Sequence, residues 1–271
     1  MGITRKIRKE ILARYKAGES SVVLQGAYRL TRATILKIVR RADGKVRSRS
    51  EARRKYQLDE RTFDAPMHEH ALYWTGFLLA DGSVNGRRKS AAARTRLKLA
   101  RKDKGHLKSF LSFLKSSYPI SPASAGCNVV EITSDKLYFR LRELGITERK
   151  SFTASPSAEV ANSRHFWRGM IDGDGYPATP KNTAVIELCG SFASCVAFVN
   201  FLADNGIYGQ IGPHGSIHEV LLCGDRARRA AVLLYKGCTV ALPRKLKIAK
   251  RIIEQPLTGI VRVKAAAAGA Q

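Results

Sequence analysis

Apolar residues near the start of the chain recur every three to four positions: Ile3, Ile7, Ile11 and Tyr15, with Leu12 beside them. This is the period of a helix that buries one stripe. Gly18 ends that helix, and Ser20 or Ser21 caps a second. Thr31 caps a third, with Ile35, Leu36, Ile38 and Val39 facing inward and Arg32, Thr34, Lys37, Arg40 and Arg41 facing outward. Residues 42–62 carry no apolar stripe and read as a basic linker that tracks phosphates or lies in a minor groove, or as a solvated tether. Beyond it, helical spacing returns over 104–117, 135–145, 192–205 and 225–236, separated by short, turn-bounded strands. One of these, residues 94–99, alternates cleanly: Arg94, Arg96 and Lys98 on one face, Thr95, Leu97 and Leu99 on the other. Residues 259–271 read as a disordered tail.

The pattern contains a repeat. YWTGFLLADGS, residues 73–83, and FWRGMIDGDGY, residues 166–176, share W-x-G-x-x-x-[AG]-D-G, and the chain's two tryptophans, Trp74 and Trp167, sit at the same motif position. Ser134-Asp135 and Gly224-Asp225 then each close a strand and open a helix, and Arg149-Lys150 and Arg244-Lys245 follow. Each copy therefore predicts helix, two strands, helix, two strands, helix.

The doubled motif carries chemistry. Gly76 with Ala80, and Gly169 with Gly173, place two small residues on one face of each helix, which lets two such helices pack backbone to backbone. Gly82 and Gly175 predict left-handed caps that stop the helices. Asp81 and Asp174 then fall at helix C-termini, where the dipole disfavours anions. Side-by-side packing brings the two carboxylates together, and such a pair calls for a cation. Hard oxygen ligands point to Mg²⁺, with Mn²⁺ as a substitute, and Lys150 and Lys245 are placed to polarise water or neutralise charge on a phosphate. The five cysteines form no C-x-x-C pair and read as buried thiols in a reducing compartment, not as a zinc site or disulfide framework.

WTGFLLADG and WRGMIDGDG resemble the two motif copies of single-chain LAGLIDADG homing endonucleases, over about residues 66–255. The resemblance implies an α+β fold of two pseudo-symmetric αββαββα repeats, residues 63–153 and 154–258. Two central motif helices would lie beneath an antiparallel β saddle over DNA. It makes Asp81 and Asp174 the metal ligands, with Ala80 and Gly173 lending backbone carbonyls. GITERKS and LPRKLK resemble the segments that supply the family's central lysines, hence Lys150 and Lys245. Leu79 stands where the motif often has a second acid, which the other copy keeps as Asp172. The implied activity is site-specific double-strand cleavage leaving short 3′ overhangs.

Composition strengthens a nucleic-acid partner. The net charge is +26, and residues 1–62 alone carry 18 basic against 6 acidic side chains. YKAGESSVVLQGAYRLTRATILKIVRR resembles a helix-turn-helix of the resolvase or invertase kind, although Gln25 stands where that motif usually has a small residue. Residues 1–41 are then an all-α DNA-binding segment, or a basic three-helix cap that reads no groove. In the first repeat Asn85, Arg87, Arg88 and Lys89 join Arg94, Arg96 and Lys98 as groove contacts. In the second, the matching strand presents Thr183, Val185, Glu187 and Cys189, with Gln210, His214, Ser216 and His218 nearby and no basic residue. Unequal halves predict a long, non-palindromic double-stranded target bound by a monomer. A non-cleaving transcriptional regulator on the same scaffold and an RNA-binding intron maturase are the rival functions. No apolar run is long enough to span a bilayer and MGITRKIRKE lacks a signal-peptide core. The expected setting is the cytoplasm or nucleoid of a bacterium or phage-infected cell, or an organelle.

Overall fold

A computed structural model of the protein describes residues 3–43, 46, 55–86, 92–148, 150 and 153–254. The chain divides into two compact units, residues 1–56 and 57–271.

The first unit is helical. Helices α1 (Arg5–Lys16), α2 (Ser21–Tyr28) and α3 (Arg32–Asp43) enclose a core of Ile11, Tyr15, Leu24, Ile35, Ile38 and Val39. Leu36, expected on the inner side, is only partly covered. The starts follow the local chemistry: Ser20 Oγ accepts from Val23 N at 3.2 Å, and Thr31 Oγ1 accepts from Thr34 N at 3.2 Å. Gly18 takes φ +106°, the left-handed region that a side chain disfavours, just beyond α1. Arg29 adopts the same region between α2 and α3.

The second unit is a duplicated α+β structure. The first copy runs α4 (Glu69–Asp81), β1 (Gly82–Asn85), β2 (Arg94–Ala100), α5 (Lys104–Phe113), β3 (Ser121–Ala123), β4 (Cys127–Thr133) and α6 (Asp135–Glu143). A short helix α7 (Ala158–Ala161) leads into the second copy, which begins α8 (Arg164–Asp174), β5 (Gly175–Ala178) and β6 (Val185–Gly190). It continues α9 (Phe192–Asp204), β7 (Ile211–His214), β8 (Ile217–Cys223) and α10 (Asp225–Tyr235), and α11 (Pro243–Glu254) follows. Each copy forms one four-stranded antiparallel sheet, ordered β1-β2-β4-β3 and β5-β6-β8-β7. This is the αββαββα order that the motif resemblance implies, with α11 in addition.

Registers in the two sheets correspond. Gly82 opposes Leu97 and Gly175 opposes Leu188; Leu97 in turn opposes Val130, and Leu188 opposes Val220. Leu97 and Leu188 are therefore equivalent, and both are fully buried under the helices. Alternation then puts Arg96 and Lys98 in the positions that Glu187 and Cys189 hold in the second sheet.

Residues 57–62, expected within the linker, are folded into the second unit. Asp59 N donates to Leu114 O at 3.0 Å, Ser134 Oγ bonds Glu60, and the buried Phe63 meets Phe113 edge-on at 5.2 Å. The segment is anchored by hydrogen bonds and by one aromatic residue, neither of which leaves a periodic stripe. Residues 44, 45 and 47–54 of the linker and the tail 259–271 lie outside the described residues.

Candidate functional site

The site begins with contact between α4 and α8. A Cβ added at Gly76 would collide with the carbonyl oxygen of Phe166, one at Gly169 with that of Tyr73, and one at Gly173 with the Ala80 side chain. Small residues thus allow backbone to meet backbone along the shared face. The flanks of the pair are apolar and aromatic. Trp74 packs on His106 and Phe110, with ring centroids 4.6 and 5.0 Å apart, and Trp167 on Phe198 at 4.9 Å. Both tryptophans are fully buried, so the shared motif position reflects anchoring of the helix pair to α5 and α9.

Both helices stop where the motif predicts, for a different reason from the one expected. Gly82 and Gly175 are extended, with φ −78° and −87°, and do not form left-handed caps. Their lack of a side chain serves close approach: a Cβ on Gly82 would lie 2.6 Å from Leu78 O, and one on Gly175 would lie 2.8 Å from Glu187 O. The chain turns directly from helix into strand over the surface of its own last turn.

Asp81 and Asp174 occupy the two adjoining helix tips, both exposed to solvent. Dense protein behind them removes part of their hydration and pushes the Asp81 carboxyl up to about 6, with the charge of Asp174 adding to the rise. Burial also raises Asp174, while Lys150 and Lys245 oppose it. The two carboxylates share one electrostatic environment that disfavours two negative charges at once.

The lysines lie beneath these tips. Lys245 Nζ donates to the carbonyl oxygens of Ile171 (2.9 Å), Gly173 (2.8 Å) and Gly175 (2.7 Å), and Lys150 Nζ to those of Leu79 and Ala80. Each ammonium therefore satisfies the carbonyls that a helix C-terminus leaves free and opposes the negative end of the dipole. Burial pulls Lys245 down to about 8 and lowers Lys150. The Ala80 and Gly173 carbonyls, expected to lie near a metal, are each engaged by a lysine. Arg244 pairs with Asp103 at 3.1 Å.

A buried polar network below the tips was not foreseen from the sequence. Asp172 is fully buried and accepts from Tyr73 Oη (2.8 Å), Tyr235 Oη (2.7 Å) and Leu242 N (2.6 Å). Burial raises its pKa while these donors stabilise the anion. With its proton directed to Asp172, the Tyr73 hydroxyl accepts from His106 Nε2 at 2.9 Å. His106 is neutral, its pKa pulled by burial to about 3. Arg168, also fully buried, donates to Val240 O, Leu234 O and Glu69, the last at 2.7 Å. The available sequence signal was the acid retained at position 172 where the other copy has Leu79.

The groove candidates divide. Asn85, Arg94 and Arg96 are exposed and Lys98 is half-buried on the open face of the first sheet, with Arg94 bonded to Glu131 at 2.9 Å. Arg87, Arg88 and Lys89 lie outside the described residues, as does Arg149. Thr183, Gln210 and Ser216 are exposed in connections beside the second sheet, and Glu187 and His214 lie on its open face. His218 does not join them. It alternates with the buried Val220 and Leu222 and packs against Phe192 at 5.1 Å, on the helix-covered side. In the first unit Arg32, Lys37, Arg40 and Arg41 are exposed along α3, and Thr34 is partly covered. Of the five thiols, expected as buried, Cys195 alone is; Cys223 is exposed and the others are half-buried.

Fold and site define a class: a duplicated α+β unit whose paired helices carry one aspartate each at adjoining tips. Solved structures similar to this chain are LAGLIDADG homing endonucleases bound to DNA. I-SmaMI bound to cleaved DNA is 12% identical with a TM-score of 0.49, over 68% of this chain and 87% of its own. I-GzeII in complex with its DNA target is 9% identical with a TM-score of 0.48, over 66% and 87%. The meganuclease I-AabMI bound to uncleaved DNA is 11% identical with a TM-score of 0.47, over 66% and 88%. No protein-family model and no curated protein matches the chain. Among the described residues, no helix is long and apolar enough to cross a membrane.

Proposed function

We propose that the protein is a site-specific double-strand DNA endonuclease of the LAGLIDADG homing type, acting on a long, non-palindromic target as a monomer. The observation that supports this best is the pair of solvent-reaching carboxylates, Asp81 and Asp174, at adjoining helix tips where neither ionises freely. Their donor set fits a hard divalent cation, Mg²⁺ or Mn²⁺, because two anionic oxygens in a partly desolvated site are relieved by one dication. Such an ion, when bound, supplies Lewis acidity to a phosphate oxygen and lowers the pKa of a bound water.

The rest is the work of the chain. Asp81 and Asp174 are the side chains that would hold such an ion. Lys150 and Lys245 hold the last carbonyls of both helices, keep the tips in register and set positive charge behind the scissile phosphate. The Ala80 and Gly173 carbonyls, already engaged by lysine, would each have a second lone pair to offer such an ion. Asn85, Arg94, Arg96 and Lys98 grip one half-site, and residues outside the described set, Arg87, Arg88 and Lys89, extend that grip. Arg32, Thr34, Lys37, Arg40 and Arg41 of α3 supply a further contact to DNA.

Incubating purified full-length protein with Mg²⁺ and DNA spanning its intron-less or gene-less locus tests this. Discrete double-strand cleavage is expected, and Asp174→Asn should bind the same DNA and leave it whole. Equal cutting by Asp174→Asn removes that residue from the chemistry. Binding without cutting by the unmutated protein, across divalent metals, identifies a regulator instead.

A further inference from the structure

On the open face of the second sheet, β6, β7 and β8 bring Glu187, Cys189, His214 and Glu219 together. One donor atom from each lies within 4.8 Å of all the others. Cys189 and Glu219 are directly opposed across β6 and β8, and Gly212, two residues before His214, opposes Glu219 across β7 and β8. Strand pairing, not a flexible loop, thus sets their spacing. His214 Nδ1 lies 2.8 Å from Glu219 Oε2 and 4.0 Å from Glu187 Oε1, and the Cys189 thiol donates to Glu187 Oε1 at 3.0 Å. The glutamates and the cysteine are half-buried and His214 is exposed, so the group opens to solvent on one side.

We infer that these four side chains form a Zn²⁺ site, separate from the paired aspartates, which ties the β7–β8 hairpin to β6. The donor set is the reason. A thiolate, an imidazole and two carboxylates suit a borderline cation in tetrahedral geometry and are a poor match to Mg²⁺. Zinc bonds of about 2.0 to 2.3 Å hold ligand atoms roughly 3.3 to 3.8 Å apart, which small side-chain rotations reach from the observed spacing. Binding exchanges one proton, from the Cys189 thiol, for the dication. That exchange raises the local charge by one.

The position gives the ion a purpose. Glu187 and Cys189 are the register equivalents of Arg96 and Lys98, so this face is anionic where the other sheet is cationic. Zn²⁺ lowers that negative charge, fixes the hairpin and ties up two carboxylates that would otherwise repel a phosphate backbone. C-x-x-C spacing could not reveal such a site, because its ligands come from three strands that are adjacent only once the sheet forms.

The test is zinc stoichiometry of the purified full-length protein after exhaustive dialysis, joined to Co²⁺ substitution. One tightly held equivalent is expected, and the cobalt form should show a thiolate-to-metal charge-transfer band. Cys189→Ser should abolish that band and weaken Zn²⁺ by at least about tenfold, the scale on which even outer-shell partners act. His214→Ala, at an exposed position that leaves the core intact, should weaken Zn²⁺ similarly. Asp81→Asn and Asp174→Asn should keep the equivalent, which separates this site from the proposed nuclease centre. No retained zinc in the unmutated protein, or unchanged affinity in a folded His214→Ala, overturns the assignment.

Discussion

The Tyr73 hydroxyl crosses from α4 to α8 and donates to Asp172 at 2.8 Å, both groups fully buried. The equivalent residues in the other direction are Phe166 and Leu79, buried and apolar. The duplicated helix pair is therefore symmetric in its glycines and its tip aspartates and asymmetric in its core. One crossing is a hydrogen-bonded network that reaches Tyr235, Leu242 and His106, and the other is hydrocarbon. A buried carboxylate with three donors is satisfied only by one arrangement of α4, α8, α10 and the segment before α11. It fixes which surfaces meet, at the expense of desolvating a charge.

Removing that acceptor should cost more than removing one donor. Tyr73→Phe leaves Asp172 with two of its three partners and should lower stability by about 1 to 2 kcal/mol. Asp172→Leu copies the apolar residue of the other repeat but strands the Tyr235 hydroxyl and the buried Leu242 N–H and leaves the Tyr73 hydroxyl with His106 alone, and should cost about 3 kcal/mol or more. Denaturant unfolding of the two variants measures the difference. Equal losses would show that the Tyr73 hydroxyl is the only energetically significant partner.

Without metal, the tip aspartates should work against folding at neutral pH. An acid whose folded pKa lies above its unfolded value favours the unfolded state as pH rises between the two. For Asp81 that window runs from the ordinary carboxylate range, near 4, up to about 6, and Asp174 acts in the same direction. Asp81→Asn should therefore raise the melting temperature of metal-free protein above pH 7 and have little effect near pH 4. The comparison uses the difference between variant and parent, since carboxylates such as Glu19 and Glu69 are shifted down and lose native stabilisation in acid. Adding Mg²⁺ should stabilise the parent more than the variant. A lower melting temperature for Asp81→Asn at pH 7.5 in chelator would contradict the electrostatic account of the tips.

How much of this could be read in the sequence depends on the range of each cause. The repeat, the α+β order, the Gly76 and Gly169 contacts and the tip position of Asp81 and Asp174 follow from local period and spacing, and the structure has them. The Gly82 and Gly175 conformations do not, because an Asp-Gly step suits both a left-handed cap and an extended exit. The choice is made by Leu78, Ile171 and the adjoining strands. Lys150 and Lys245 are legible as partners of the motif, but their carbonyl contacts depend on how α11 and Lys150 return to the helix tips. Residues 57–62, the Asp172 network and the Glu187–Cys189–His214–Glu219 cluster are formed by contacts far apart in the chain. Composition leaves no trace of these.

Helix contact should tolerate no added carbon at its centre. Alanine favours a helix by about 1 kcal/mol over glycine, so Gly76→Ala and Gly169→Ala would stabilise an isolated helix. Here each new methyl meets a carbonyl of the partner helix, which cannot move without separating the pair. The steric cost should exceed the propensity gain, for a net loss of about 3 kcal/mol or more. Gly26→Ala, in α2 with open space around its Cβ, is the control and should be neutral or stabilising. Thermal unfolding decides it, and a stabilised Gly76→Ala would mean that α4 and α8 are not in backbone contact.

The two sheets should contribute unequally to DNA affinity, and salt is the way to see it. Arg96 and Glu187 hold equivalent places, so they offer a matched pair of substitutions. If Arg96 neutralises a phosphate, Arg96→Ala should weaken binding across target and non-target DNA alike. It should also reduce the slope of log affinity against log salt by about one. In protein stripped of zinc by chelator, Glu187→Gln removes a negative charge from the face that lacks cations, and should strengthen binding at low salt while leaving that slope nearly unchanged, because no counterion-releasing contact is added. Titrating one labelled duplex over a range of salt concentrations yields both slopes. A slope unaltered in Arg96→Ala would place the DNA elsewhere than on the open face of β2, and equal slopes with equal affinities in all three proteins would deny a role to both positions.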